Sequence, residues 1–183
     1  DPVLSRGLGD VYKRQVRDGM TTITDEQVEY INNGGVIAYP TSTLPGLGCL
    51  PTKEGLDTLF ALKSRSADKP VSIGVASLEQ VTDIVDIDPR IVEFLKSFPR
   101  GALSVIYPAK QTLDARIGGQ FVAIRVFDHP AARALAQAVG PITATSANEA
   151  GEEPANTVAD AAFELGLPDV AIVAGNRETG PGS

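Results

Sequence analysis

The sequence predicts an α/β fold with a mixed sheet. Short apolar segments, which are typical of buried strands, alternate along the chain with segments whose apolar residues recur at helical spacing. The connection over 108–120 is too long for a tight hairpin, which favours a sheet that is not purely antiparallel. The length of 183 residues, with 43% hydrophobic and 21% charged residues, is typical of one globular domain.

Start and stop signals place the helices. Thr24 and Gln27 have capping-box spacing, and the helix that they open ends at the following pair of glycines. Asp88 followed by Pro89 is the pattern of an N-cap with a proline in the first turn. Apolar residues then follow at helical spacing: Ile91, Val92, Leu95 and Phe98. The predicted helices run over 24–34, over 52–62, from 77, from 88, over 129–140 and over 159–165.

The apolar segments between these helices predict the strands. They run over 36–39, 71–76, 103–107, 121–127, 142–145 and 170–174. Within the fourth of these strands, Val122, Ile124 and Val126 alternate to one face of the sheet. Arg125 therefore lies on the opposite face, together with Ala123 and Phe127.

The two ends of the sequence differ in composition from the rest. Residues 1–19 show no sustained periodicity, and Met20 is the single methionine. Two interpretations of 1–19 stay open, a non-native leader or a disordered terminus, and we expect 20–183 to form the domain. The glycine-rich stretch 175–183 is typical of a loop that leads into another element, which predicts a C-terminus truncated at Ser183.

Charge and composition exclude several classes of protein. The net charge is −7, from 16 Lys and Arg against 23 Asp and Glu, so the basic surface of a nucleic-acid-binding protein is absent overall. Aromatic residues make up only 5% of the chain, which leaves few platforms for stacking bases. No apolar run is long enough to span a membrane, and no signal peptide is evident.

Cysteine and histidine are too scarce for a metal site. Cys49 is the only cysteine and His129 the only histidine, so the chain can form neither an internal disulfide nor a zinc site. The sequence thus predicts no protein-bound zinc or other metal, and a reducing, cytoplasmic setting.

Two polar segments follow a predicted strand or end a predicted helix, positions where α/β proteins bind ligands. Segment 40–48 combines hydroxyls with glycines but lacks the P-loop and GxGxxG patterns, so alone it favours a structured turn. The other segment contains three cations: Lys63, Arg65 and Lys69. Their spacing favours equally a grip on a polyphosphate and a complement to the negative end of a helix.

Two further polar positions lie in or after strands. Arg125 needs a partner if its face is covered, and an internal acid is slightly favoured over a carboxylate ligand. Ser146 and Asn148 follow an apolar strand, and Ser146 has no sequence neighbour that could act as its base. The nucleophile-elbow pattern is also absent, so these side chains predict hydrogen-bonding ligand groups rather than a nucleophile.

Together, these segments resemble the YrdC-domain family over about residues 34 to 183. Each matching motif is weak alone, but four in the family's order and spacing are highly specific. The motifs are 36–41 with 46–48, 63–65 with 69–70, 122–130, and 145–148. The family's functional signature, K-x-R and S-x-N, stands here as Lys63, Arg65, Ser146 and Asn148.

The resemblance implies a twisted, open α/β sheet around a large, positively lined cavity. It also implies a nucleotidyltransferase that forms threonylcarbamoyl-adenylate and pyrophosphate from L-threonine, bicarbonate and ATP, with Mg²⁺ accompanying the ATP. A tRNA threonylcarbamoyl-transferase complex would then take the product to modify an adenosine of tRNA. The family also implies binding of double-stranded RNA, but the acidic composition predicts weak or indirect contact with tRNA.

The resemblance also assigns roles to residues. Those implied to be catalytic are Lys63, Arg65, Ser146 and Asn148. Those implied to bind the nucleotide are Lys63, Arg65, Lys69, Asn148, Asn156 and Thr157. Those implied to bind threonine are Thr43, Arg125 and Ser146. Since the attacking carboxylate of N-carboxy-threonine is already anionic, the reaction requires no side-chain base.

Three residues depart from the family pattern. Ser42 replaces an acid, Pro45 replaces an aromatic that helps to wall the threonine pocket, and Gly74 stands where longer members often have a histidine. These departures motivate an alternative, a non-catalytic paralogue that binds nucleotide or RNA, but the complete K-x-R and S-x-N signature favours the enzyme. A hydrogenase-maturation domain is disfavoured, because those proteins carry cysteine-rich zinc modules.

Overall fold

A six-stranded sheet forms the centre of the computed structural model, which describes residues 23–99, 101 and 103–174. The strands are β1 (Ile37–Tyr39), β2 (Gly46–Gly48), β3 (Ser72–Val75), β4 (Ser104–Pro108), β5 (Phe121–Val126) and β6 (Ile142–Ser146). The α-helices are α1 (Asp25–Asn32), α2 (Lys53–Lys63), α3 (Pro89–Leu95), α4 (Pro130–Val139) and α5 (Val158–Glu164). Short 3₁₀ helices cover Leu78–Val81, Ala115–Ile117 and Asp169–Ala171. The predictions for 1–19, Met20 and 175–183 lie outside the described residues.

The sheet is mixed and open, which confirms the predicted fold class. Its strand order is β1-β2-β6-β3-β5-β4, so the two end strands do not pair with each other. Strands β3 and β5 are parallel, and all other neighbours are antiparallel. The register places Gly46 opposite Ser146 and Gly74 opposite Arg125. Segments that are far apart in the sequence therefore meet in the middle of the sheet.

Side chains cap the helices where the sequence predicts helix starts. Thr24 accepts the N–H of Gln27, and the Gln27 side chain accepts the N–H of Thr24, which completes the predicted capping box. Thr52, Asp88 and His129 likewise accept a first-turn N–H with their side chains. None of the helices among the described residues has the length and apolarity needed to cross a membrane. These four caps could be predicted because a cap depends mainly on neighbouring residues.

The prediction of a strand over 170–174 is wrong. Asp169–Ala171 forms a 3₁₀ helix, and Ile172 makes only an isolated parallel bridge with Ala38. The Ala171 N–H donates to the carbonyl of Pro168, so the chain turns where a strand would have to extend. The apolar pattern reflects burial of this segment against β1, with which it pairs only at that one bridge.

The structured turn that segment 40–48 alone favours does not cover the whole segment, because its last three residues form β2. A Cβ at Gly46 would lie 2.6 Å from the Tyr39 ring, and a Cβ at Gly48 would lie 2.6 Å from the carbonyl oxygen of Thr143. Glycine is present here because the strand packs too closely for a side chain. Propensity arguments miss such a strand, since glycine normally disfavours strands.

Two helices differ in detail from their predictions. The helix predicted from 77 is the 3₁₀ helix Leu78–Val81, and the Ser77 side chain does not cap it. Helix α3 forms where predicted but buries none of its residues, and Phe94 is 58% exposed. Helical spacing of apolar residues therefore does not mark a core-facing stripe in α3.

Buried side chains form two clusters on opposite faces of the sheet. Val36 and Ala38 belong to one cluster, whereas Ile37 and Tyr39 belong to the other, as the alternation of a strand requires. The first cluster includes residues of α2 and α5, and the second includes residues of α1 and α4. Helices therefore flank both faces, as predicted.

We expect Thr143→Val to lower the free energy of unfolding by about 1–3 kcal/mol, because it leaves a buried donor without a partner. Thr143 is fully buried, and its hydroxyl accepts the N–H of Cys49 at 3.0 Å. Urea denaturation would measure the change. Thr58→Val is the matched control, since the exposed Thr58 hydroxyl bonds only within its helix. Equal effects of the two substitutions would contradict this account.

Candidate active site

A cavity of about 460 Å³ lies where β1, β5 and β6 end. The segment after β1, the end of β5 with the residues after it, and the end of β6 contribute to its lining. All three residues implied to bind threonine line this cavity: Thr43, Arg125 and Ser146. Among the described residues, the charged side chains in the lining are Arg125 and Asp128. The cavity wall is therefore less positive than the resemblance implies.

The guanidinium of Arg125 is largely uncommitted. Its Nε donates to the Ser104 hydroxyl at 3.2 Å, and none of the ion pairs in the described part of the chain involves it. The internal acid that the sequence slightly favours as its partner is thus not found there. A guanidinium without a carboxylate partner, at the wall of a cavity, suits a carboxylate ligand.

Lys63 joins the two signature motifs. It lies at the end of α2 and is only 2% exposed. Its Nζ donates to the carbonyl of Ser146 at 2.5 Å and to the carbonyl of Asn148 at 2.8 Å. The Ala150 N–H returns a bond of 2.7 Å to the Lys63 carbonyl. The loop after β6 is therefore fixed to the end of α2.

Burial, and secondarily the neighbouring Arg65, lower the pKa of Lys63 to about 8. The side chain is thus mainly a cation at neutral pH, but in a setting that disfavours its charge. None of the ion pairs in the described ranges supplies it with a carboxylate. An ammonium group has three donors, and the contacts among the described residues use two of them.

Ser146 and Asn148 bond to each other and shape the loop. The Ser146 hydroxyl donates to the Asn148 side-chain oxygen. The Asn148 amide donates to the carbonyls of Glu149 at 3.1 Å and Glu152 at 2.7 Å. The polar atoms of the Asn148 side chain are thus committed within the protein, which indicates that it holds the loop. Direct contact of Asn148 with a substrate stays a prediction.

Arg65 and Lys69 lie together just beyond α2. The helix ends at Ser64, whose left-handed φ of 52° is a strained conformation for a residue with a side chain. The Arg65 side chain then donates to the carbonyls of Lys69 at 2.6 Å and Pro70 at 3.0 Å. Neither Lys63 nor Arg65 bonds the last carbonyls of the helix through its side chain. Of the two roles left open by spacing, neither is decided by these contacts, and phosphate binding by Lys63, Arg65 and Lys69 stays a prediction.

Comparisons with known proteins identify the family. Residues 29–183 match the family model Sua5/YciO/YrdC, described as telomere recombination. The chain belongs to this family. A threonylcarbamoyl-AMP synthase from Marinobacter nauticus is 39% identical over 131 residues, 68% of this chain and 69% of the relative. A second, from Aliivibrio fischeri, is 35% identical over 158 residues, 82% of this chain and 85% of the relative.

A solved structure in the family has the same fold. The crystal structure of P. abyssi Sua5 complexed with L-threonine has a TM-score of 0.72 and 29% identity to this chain. The match covers 81% of this chain and 45% of the P. abyssi chain, so this chain spans less than half of that protein. The likeness confirms the predicted membership and fold.

Ser42 makes a contact that the sequence did not predict. Its hydroxyl donates to an Asp128 side-chain oxygen at 2.6 Å, and both residues line the cavity. The acid expected at position 42 could not donate this bond and would add a second negative charge beside Asp128. In this family member, the serine thus ties the loop after β1 to the end of β5.

None of the six residues implied to bind nucleotide is part of the cavity lining: Lys63, Arg65, Lys69, Asn148, Asn156 and Thr157. Asn156 and Thr157 are exposed, and the Thr157 hydroxyl accepts the N–H of Asp160 as the cap of α5. Their role in nucleotide binding stays a prediction. No group of three or more His, Cys, Asp or Glu among the described residues could hold a metal ion.

We expect the stability of the wild-type protein relative to Lys63→Met to rise between about pH 8 and pH 10.5. The folded pKa of Lys63 is about 8 against 10.5 for the free side chain. Between these values the unfolded chain binds the extra proton, so raising the pH favours the folded state. Chemical denaturation across this range measures the difference.

The exposed Lys110→Met substitution controls for loss of a lysine elsewhere. A stability difference between wild type and Lys63→Met that stays constant with pH would show that the Lys63 ammonium is not disfavoured by burial.

Proposed function

We propose that this chain is a threonylcarbamoyl-AMP synthase, which forms threonylcarbamoyl-adenylate and pyrophosphate from L-threonine, bicarbonate and ATP. One observation carries the proposal: the buried Lys63 ammonium bonds the loop whose Ser146 lines the same cavity as Arg125. Phosphates bound at Lys63 would then lie beside an amino acid whose carboxylate is bound at Arg125. Two relatives named threonylcarbamoyl-AMP synthase and the structure of P. abyssi Sua5 complexed with L-threonine support this proposal.

The cavity suits an amino acid held by its carboxylate. Its volume of about 460 Å³ falls within the usual range for small-molecule sites. Arg125 would hold the threonine carboxylate with its planar fork of donors. Thr43 and Ser146 line the same cavity and supply hydroxyls for the polar groups of the substrate.

The phosphates of ATP, bound as its Mg²⁺ complex, would lie on the side of Lys63, Arg65 and Lys69. The neutral amine of threonine first combines with bicarbonate, forming the N–C bond of N-carboxy-threonine with loss of water. A carboxylate oxygen of N-carboxy-threonine then attacks the α-phosphorus, and the bond from that phosphorus to the bridging oxygen of pyrophosphate breaks. The cations neutralise the charge on the phosphoryl oxygens and on the departing pyrophosphate. Because the nucleophile is already an anion, placing it in line with the leaving group is enough, and no base is needed.

The product is a reactive mixed anhydride, which requires an acceptor close at hand. We propose that a tRNA threonylcarbamoyl-transferase complex takes it in the cytoplasm. The net charge of −7 supports weak or indirect contact with tRNA or other double-stranded RNA. The buried, unpaired Cys49 is compatible with that reducing setting.

Contacts at two positions where this chain differs from the family pattern, Ser42 and Gly74, weigh against a non-catalytic paralogue. Ser42 bonds Asp128, and the Phe127 ring occupies the space beside Gly74. Neither departure leaves a gap in the site, and the K-x-R and S-x-N residues are in contact through Lys63.

We expect the protein to release pyrophosphate from Mg²⁺–ATP only when both bicarbonate and L-threonine are present. Arg125→Gln should raise the KM for threonine by roughly 10- to 150-fold, the loss of one charge-assisted contact, and change the KM for ATP little. Coupled pyrophosphate detection measures both constants.

Arg90→Gln is the matched control, since Arg90 is exposed and pairs only with Asp88. Pyrophosphate release by the wild type at the same rate with and without threonine would contradict the proposed reaction. An unchanged KM in Arg125→Gln would contradict the role of Arg125 alone.

A further inference from the structure

Two aromatic rings form a wall of the cavity. Tyr39 and Phe127 both line it, although they are only 1% and 4% exposed. Their ring centroids are 5.6 Å apart with planes at 72°, an edge-to-face pair. The Tyr39 hydroxyl donates to the carbonyl of Thr143 at 3.2 Å, which fixes that ring in place.

Glycines in the sheet make room for these rings. A Cβ at Gly74 would lie 2.0 Å from the tip of the Phe127 ring, and a Cβ at Gly46 would lie 2.6 Å from the Tyr39 ring. The Phe127 ring therefore rests directly on the backbone of β3. Any side chain at position 74 would force the ring off the sheet.

The position of Gly74 sets the Phe127 ring beside Arg125. Gly74 pairs with Arg125 in the register of β3 and β5, and paired residues direct their side chains to the same face of a sheet. An amino acid whose carboxylate is held by Arg125 would thus have the Phe127 ring beside it.

We propose that Phe127, seated on Gly74, is a specificity-determining residue that presents the apolar wall against which the methyl group of threonine packs. This inference rests on the proposed function. It also accounts for Pro45, which stands where the family usually has an aromatic and lines the same cavity. In this chain the aromatic surface comes from position 127.

The proposal predicts a loss of preference for threonine over serine when the ring is removed. One methyl group in an apolar pocket is worth about 10- to 200-fold in kcat/KM. We expect the threonine-to-serine ratio of kcat/KM to fall by about tenfold or more in Phe127→Ala, since the methyl group then faces an empty space. Phe163→Ala is the matched control, because Phe163 is 86% exposed.

Gly74→Ala tests the same contact without removing the ring. The new methyl group would push the ring into the cavity, so we expect the KM for threonine to rise by roughly tenfold. The double variant Gly74→Ala with Phe127→Leu should recover most of this loss, because leucine lacks the ring atoms that collide. A purely structural role of the pair would lower the melting temperature without changing the ratio or the KM.

The outcomes separate this inference from the proposed function. If the wild type releases no threonine-dependent pyrophosphate, both fail. If it does, but the ratio is the same in Phe127→Ala and Phe163→Ala, this inference alone is overturned. If Phe127→Ala does not fold, the Gly74→Ala variant and its rescue decide, and an unchanged KM for threonine in Gly74→Ala overturns the inference.

Discussion

The candidate site depends on the hydrogen bonds that the buried ammonium of Lys63 makes. Taking a cation out of water is unfavourable unless hydrogen bonds replace its hydration. Here the carbonyl of Ser146, at the end of β6, and that of Asn148, in the loop after it, do so. The bond from Ala150 to the Lys63 carbonyl makes the contact reciprocal. The loop after β6 thus replaces part of the hydration of the Lys63 ammonium, and Lys63 in turn holds the loop in place. A site organised in this way places a cation beside Ser146, which lines the amino-acid cavity.

The sheet explains why this contact can form. Strand β6 lies between β2 and β3 in the sheet. Its last residue, Ser146, pairs with Gly46 of β2 and accepts a hydrogen bond from Lys63 at the end of α2. Strand β3 also pairs with β5, in parallel, and this pairing places Arg125 in the same region of the sheet. Crossovers in the strand order thereby gather residues from four parts of the chain, which is how open α/β sheets generally build ligand sites.

Local features of this structure could be predicted from sequence, and contacts across the sheet could not. The cap at Thr24 follows from neighbouring residues. The face of the sheet on which Arg125 lies, opposite Val122 and Ile124, follows from strand alternation. Strand β2 and the contact of the Phe127 ring with Gly74 could not be predicted in this way. Both depend on packing between segments far apart in the chain, and the pattern of a single segment does not indicate such packing. The motif order identified the family and its signature residues, but not the bond that joins Lys63 to the loop at Ser146.

A crystal structure with L-threonine and a non-hydrolysable ATP analogue would test the central claim most directly. We predict that the threonine carboxylate lies on Arg125 inside the cavity, and that a phosphate oxygen lies within about 3 Å of the Lys63 Nζ, the distance of a charge-assisted hydrogen bond. Phosphates bound away from Lys63, with threonine outside the cavity, would contradict the account of a single site joined by that ammonium.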